Sequence, residues 1–168
     1  ERTSPRPYQA AVITLSDKGA AGEREDKSGP AIVEELESRG YEVVEKLLLA
    51  DGTGPLKAQL IRLCDQRQLD LILTTGGTGF TPRDQTPEAT LAVADRTVPG
   101  IAEAIRAGSM RYTRRAMFSR GVSVIRGKTL IINLPGSPKA VRESLGVFLD
   151  DLPHALDMLR NTVHDCAR

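Results

Sequence analysis

The sequence predicts a three-layer α/β/α sandwich around a mostly parallel sheet with one antiparallel edge strand. Three observations predict it. Short apolar runs alternate with helical stretches along 168 residues, a length that suits one domain. The runs are uniformly apolar, as strands buried on both faces are, and one Gly-centred hairpin signal interrupts the alternation near the end.

Residues 1–7, polar and holding Pro5 and Pro7, are expected to be a disordered lead-in to a single domain over residues 8–168. Tyr8 to Leu15 (YQAAVITL) is the first strand candidate and stops at the polar loop Ser16 to Lys27. Ser28 reads as an N-cap with Pro30 in the first turn. The helix then presents Ile32, Val33 and Leu36 on one face and ends near Gly40, a natural residue past a helix end. Tyr41 to Leu49 is the second strand candidate, and after the turn Ala50 to Gly54 a helix carries Leu56, Leu60, Leu63 and Cys64 on its core face. Leu69 to Thr75 (LDLILTT) is the third strand and runs into Gly76-Gly77-Thr78-Gly79.

Thr86-Pro87-Glu88 opens the next helix, its carboxylate where the macrodipole favours one, and the helix is expected to reach about Asp95. A further helix is expected over Val98 to Met110, followed by the polar stretch Arg111 to Arg120. Val122 to Ile125 and Thr129 to Leu134 flank Arg126-Gly127-Lys128 as a hairpin, the source of the antiparallel strand. After Pro135 to Pro138, a last helical region buries Val141, Leu145, Phe148, Leu149 and Leu152, and Pro153 is expected to break it.

The 23 Lys and Arg nearly balance 22 Asp and Glu, a net charge of +1. That balance gives no support to a whole-domain electrostatic fit to nucleic acid or to an anionic membrane, though it allows a local patch, so partners are read from sites. With 40% apolar residues the chain is no disordered polymer, and three Tyr, three Phe and no Trp leave its core short of aromatics. Cys64 and Cys166 have no CxxC or Cys/His ligand spacing, so neither a structural zinc nor a disulfide framework is expected. Without a signal-peptide-like stretch or a bilayer-length apolar run, a cytoplasmic setting is expected.

In a parallel α/β sheet ligands bind beyond the carboxyl ends of the strands. That rule selects the loops Ser16 to Ser28, Ala50 to Gly54, Gly76 to Thr86 and Pro135 to Pro138. The glycines of the third loop allow positive φ and close approach of a ligand, and the N–H groups leading into the next helix can hold an anion. The loop is neither GxxxxGK[ST] nor GxGxxG. A phosphate site is the functional reading; ordinary turn chemistry is the alternative.

Thr75-Gly76-Gly77-Thr78-Gly79, continuing as Thr81-Pro82-Arg83-Asp84-Gln85-Thr86-Pro87-Glu88-Ala89-Thr90, closely resembles the signature of the molybdopterin adenylyltransferase family of molybdenum-cofactor biosynthesis, which includes the gephyrin G domain. Leu15-Ser16-Asp17 with Asp26-Lys27-Ser28-Gly29-Pro30 is similar to the family's first segment, and Asn133 to Ala140 to its last. The resemblance covers about residues 8–160, and Arg83-Asp84 is intact, which favours the active branch over cousins that break this pair.

The resemblance implies transfer of the adenylyl group of Mg-ATP to the terminal phosphate of molybdopterin, with pyrophosphate released ahead of metal insertion by a partner enzyme. It also implies a homotrimer. Joining two anions requires charge neutralisation and alignment, not a covalent nucleophile, and Mg2+ takes one or two carboxylates with phosphate oxygens and water. Asp84 and Asp51 are the candidate catalytic and magnesium-binding carboxylates; the alternative for each is a turn residue. Gly76, Gly77, Thr78 and Gly79, with Arg83, are candidates for the nucleotide or pterin phosphate. Ser16, Asp17 and Ser28 are candidates in the first loop, where Ser28 has the alternative of a plain cap, and Pro135, Gly136 and Ser137 are candidates for the adenine or ribose. A molybdopterin-binding scaffold without transferase activity is the competing function. The basic stretch Arg111, Arg114, Arg115, Arg120, Arg126 and Lys128 is a solvated face, a receiver of the molybdopterin phosphate, a subunit contact or, least of all, a nucleic-acid contact, and His154 and His164 receive no catalytic role.

Overall fold

In the computed structural model, which describes residues 6–161, the apolar runs become β1 (Gln9–Leu15), β2 (Glu42–Leu49), β3 (Leu71–Thr75), β4 (Arg96–Thr97), β5 (Ser123–Arg126) and β6 (Thr129–Leu134). They form one six-stranded sheet in the order β2-β1-β3-β6-β5-β4. β1 pairs in parallel with β2 and β3, and β3 with β6. β5 runs against β6, as the hairpin signal implies. The antiparallel strand lies one place in from the edge, however, because β4 pairs outside it. Two exposed polar residues carry no periodicity, so β4 exists only through its backbone bonds, with Asp95 N and Val98 N donating to Ile125 O and Ser123 O at 2.9 and 2.8 Å.

The helices are α1 (Asp17–Ala20), α2 (Ser28–Glu37), α3 (Gly54–Ile61), α4 (Thr86–Val93), α5 (Pro99–Ser109), α6 (Pro138–Phe148) and α7 (Leu152–Leu159), with a π turn over Arg62–Gln66 and 3-10 turns over Arg114–Phe118 and Leu149–Asp151. Both faces of the sheet are covered. Ala10, Val12, Leu71, Leu73, Leu130 and Ile132 pack beneath α2, α5, α6 and α7; Ala11, Ile13, Ile72 and Ile131 pack beneath α3 and α4. Alternate residues of each strand feed opposite layers, so the middle stretches of the central strands are apolar without alternation.

Several boundaries move for local reasons. Ser28 is the first helical residue and not the cap. Asp26 takes the capping role, its Oδ1 accepting from Gly29 N at 3.0 Å, which frees Ser28 Oγ to donate to Gly136 O at 2.6 Å. The Ser16 to Lys27 loop contains α1, capped by Ser16 Oγ on Gly19 N at 3.0 Å. The α3 stripe continues into the π turn, which buries Leu63 and Cys64. The last helical region breaks at Leu149–Asp151, and Pro153 opens α7. The carbonyls of Arg6 and Pro7 accept from Arg160 at 2.8 and 3.0 Å; residues 1–5 of the lead-in, His164 and Cys166 lie outside the described residues. Among those described, no helix is long and apolar enough to cross a membrane.

Candidate functional site

Chain order along the sheet reverses between β1 and β3, because β1 sends the chain outward to β2 and β3 returns on its other side. Such a switch point leaves a crevice at the carboxyl ends of the strands. A cleft of about 380 Å³ opens there, lined by Thr14 to Ser16, Gly19, Arg24 to Ser28, Asp51, Thr75 to Gly77, Asp84, Gly136 and Ser137.

Two glycines shape its floor. Gly76 and Gly77 have φ of +94° and +71°, a region that L side chains enter at a cost of about 1–2 kcal/mol. A Cβ on Gly76 would collide with Leu15 O, and one on Gly77 with Thr86 Oγ1. Gly76 N donates to Leu134 O at 3.2 Å, so this residue sets the turn and does not offer its amide to a ligand. The N–H groups of Gly77, Thr78 and Gly79 have no acceptor among the described residues. Thr86, buried at the start of α4, closes the turn by donating Oγ1 to Gly76 O at 2.9 Å and N to Gly77 O at 3.1 Å. Beneath it a buried polar set joins the elements: Asn133 Nδ2 donates to Thr74 Oγ1 and Thr90 Oγ1 at 2.9 and 3.1 Å.

The carboxylates come from three loops. Asp17 and Asp51 exchange backbone bonds, each N–H donating to the other's side chain at 3.1 and 3.0 Å. Arg83 donates bidentately to Asp17 at 3.0 and 2.9 Å and also to Asp51 O. These bonds from Arg83 hold the Asp17 carboxyl below its usual range. Burial raises that of Asp51, with the charges of Asp17 and Asp84 adding to the rise. Asp84 Oδ2 accepts from Thr81 N and Oγ1 at 3.0 and 2.9 Å, the turn geometry its sequence allows. One oxygen each of Asp51 and Asp84 accepts from no donor among the described residues.

Among the described residues no group of three or more His, Cys, Asp and Glu side chains forms a metal cage. Two carboxylates, each with one open oxygen, suit an ion that completes its shell with phosphate oxygens and water, as Mg2+ does.

The structure brings Ser16, Ser28, Asp51, Gly76, Gly77, Asp84, Gly136 and Ser137 to one cleft. It withdraws Asp17 and Arg83 into a pair with each other. Thr78, Gly79 and Pro135 line a separate apolar cavity of about 290 Å³ between α5, α6 and the Arg114–Phe118 turn. Ser137 Oγ caps α6 by accepting from Ala140 N at 3.2 Å. Thr75 Oγ1 joins Ser28 in holding the last loop, donating to Pro135 O at 2.6 Å.

Sequence reasoning selected the Ser16 to Ser28 loop without singling out Arg24, Asp26 or Lys27 as site residues, and it missed Thr14 altogether. Thr14 Oγ1 donates to Asp26 Oδ2 at 2.9 Å. A polar residue near the carboxyl end of an otherwise apolar strand, and an Asp three residues before a helical Gly, were the available signals. The Arg111 to Lys128 stretch does not form one cluster: Arg126 pairs with Asp65 and Arg120 with Glu88, while Arg111 lies over the Tyr112 ring at 5.1 Å.

Fold and cleft together place the protein among α/β/α domains that carry a ligand crevice at the switch point of a parallel sheet. Residues 11–154 match the family described as probable molybdopterin binding domain, and the chain belongs to that family. It is 41% identical over 150 residues to the molybdopterin adenylyltransferase of Helicobacter pylori strain J99, covering 88% of this chain and 85% of that protein. The Escherichia coli K12 molybdopterin adenylyltransferase is 43% identical over 137 residues, covering 80% of this chain and 70% of that one. Among solved structures, the molybdopterin biosynthesis enzyme MoaB of Thermus thermophilus superposes with a TM-score of 0.87 at 49% identity, covering 92% of this chain and 97% of that one.

Proposed function

We propose that the protein is a molybdopterin adenylyltransferase of molybdenum-cofactor biosynthesis. A terminal phosphate oxygen of molybdopterin attacks the α-phosphorus of ATP and forms a new P–O bond. The bond from that phosphorus to the bridging oxygen breaks, and its electron pair leaves with pyrophosphate. The relatives' activity supports the reaction, and the observation that carries it in this chain is the switch-point cleft, with the open oxygens of Asp51 and Asp84 beside the Gly76-Gly77 turn.

The amide of Gly77, which lines the cleft, holds a phosphate oxygen without adding charge. Arg24 and Lys27, which line the cleft and make no ion pair among the described residues, oppose the charge of the triphosphate and of the departing pyrophosphate. Asp51 and Asp84 would hold Mg2+, which neutralises phosphate charge when bound. Arg83 acts from behind: its charge offsets that of Asp17 and eases the repulsion on Asp51. The helix starts that carry Ser16, Ser28 and Ser137 face the same cleft and orient the nucleotide there.

The further expectations stay with this reading: a cytoplasmic homotrimer that passes its product to a molybdenum-inserting enzyme. Exposed Phe80 and Phe118, packed edge to face at 5.7 Å, support a subunit contact. The test incubates the purified protein with Mg-ATP and molybdopterin and measures pyrophosphate and adenylylated pterin, with Asp84→Ala in parallel. Turnover by the wild type, cut to a small residual rate in the variant while pterin affinity stays, is the expected result. Pterin binding with neither product formed sinks the catalytic reading and leaves a scaffold.

A further inference from the structure

Arg120 ends the polar stretch that the sequence offers as a solvated basic face, and the structure turns it inward. Its backbone N–H donates to Thr78 O at 3.0 Å. Its Nε donates to Gly79 O at 2.8 Å and Nη2 to Asp84 O at 2.7 Å. Nη1 and Nη2 also grip both carboxylate oxygens of Glu88, in the first turn of α4, at 2.8 to 3.0 Å. One guanidinium thus bonds both ends of the loop from Gly79 to Asp84 and the helix that follows it.

The half-exposed Arg120–Glu88 pair adds little stability by attraction alone. Its directional consequence is larger. The loop is held on its other flank by Arg83, which reaches Asp17 and Asp51 O. Inside the loop, Thr81 occupies Asp84 Oδ2 and leaves the other oxygen open. The aim of that oxygen follows from the backbone at residue 84, and the Asp84 carbonyl is the atom Arg120 holds.

We propose that Arg120 is a positioning residue for adenylyl transfer, acting through Asp84 by fixing the span of the 79–84 loop. The inference rests on the adenylyltransferase reading of the cleft. A planar fork with donors on three nitrogens can reach two carbonyls and a carboxylate at once; a lysine ammonium is a point charge and cannot.

The test uses Arg120→Lys and Arg120→Gln, alone and with Asp84→Ala, measuring steady-state transfer, thermal unfolding and hydrogen exchange of the 79–85 amides by mass spectrometry. Both single variants are expected to lower kcat about 10–100-fold, the range that supporting partners of ligating side chains command. KM for molybdopterin should stay within about twofold, since the lost contact acts on the reacting end alone. Arg120→Gln added to Asp84→Ala should slow transfer no further, and exchange through 79–85 should quicken.

Wild-type kcat in Arg120→Lys, or losses that multiply in the double variant, overturn the proposal. Should Arg120→Gln fail to fold, Arg120→Lys, which keeps charge and stem, carries the same test. Should the wild type transfer nothing, the reading of function fails, and exchange decides the clamp: quicker exchange in a variant supports it and unchanged exchange overturns it.

Discussion

Replacing Gly77 by Ala asks whether the cleft floor is set by close approach or only by a backbone twist. Gly77 and Gly127 both have positive φ, +71° and +60°. A Cβ on Gly127 meets nothing within 4 Å, whereas one on Gly77 would overlap Thr86 Oγ1 and come within 3.3 Å of Asp51 Oδ1. The twist alone costs about 1–2 kcal/mol for any L side chain. Forcing the buried Thr86 aside adds about 1–3 kcal/mol of overpacking and strains its bond to Gly76 O. Gly127→Ala should therefore lose about 1–2 kcal/mol, and Gly77→Ala about 2–5 kcal/mol when the overpacking is included. In a domain of this size each kcal/mol moves Tm by about 2–4 °C, so calorimetry separates the two. Turnover should fall in Gly77→Ala and hold in Gly127→Ala. Equal losses of stability in the two variants would refute the reasoning, because the close approach at Gly77 would then have no energetic weight.

Two further predictions concern the scaffold. Asp70 and Arg160 have side chains only 10% and 16% exposed; Asp70 also accepts from Gln9 N at 2.8 Å. Asp70→Ala should destabilise by about 3–5 kcal/mol by taking the carboxylate from a mostly buried guanidinium and leaving it the carbonyls of Arg6 and Pro7, whereas Asp150→Ala, whose side chain is 83% exposed in its pair with Arg39, should cost under about 1 kcal/mol; urea unfolding of both tests the contrast, and similar losses reject it. Burial pushes the Cys64 thiol up to about 11, so at pH 8 its thiolate fraction is about 200-fold below that of a free thiol. Iodoacetamide labelling followed by peptide mass spectrometry should find it correspondingly slow, and labelling at the rate of a free thiol would show that Cys64 is no core residue.

The layer order was legible because the central strands announce themselves. Val12, Leu71 to Leu73 and Leu130 to Ile132 are apolar without alternation, and only burial on both faces accounts for that. The glycine loop was legible for the same kind of reason, since few structures other than a tight turn at a strand end want Gly76 and Gly77 side by side. β4 was not legible: Arg96 and Thr97 pair because the chain on either side brings them there, and no local preference marks them. Ser28 shows a different limit. Sequence identified a helix start and a hydroxyl, and both are present, but Asp26 competes for the cap and wins, so the hydroxyl turns to Gly136 O across the cleft. Cap competition is decided by backbone geometry that spacing alone does not carry. Arg83 and Arg120 illustrate the same limit for charge, because a guanidinium in a motif looks alike whether it faces a ligand or braces a loop.

That distinction changes what the net charge of +1 means. The cleft proposed for ATP and a phosphorylated pterin has Arg83 and Arg120 in the loops beside it, yet Arg83 is spent on Asp17 and Arg120 on Glu88 and two carbonyls. Both are internal braces that place aspartates. What remains for phosphate is backbone amide, hydroxyl, and the two exposed cations Arg24 and Lys27 on the segment before α2. Amides on a rigid turn are fixed in direction and bear no full charge, so they favour a ligand whose oxygens fall in the right places over any polyanion that arrives. On the proposed reading, the open carboxylate oxygens beside them would repel a bare triphosphate and accept one that brings its own cation. The proposed arrangement would thus select for a metal–nucleotide complex, and would do so without the basic surface that would also attract nucleic acid.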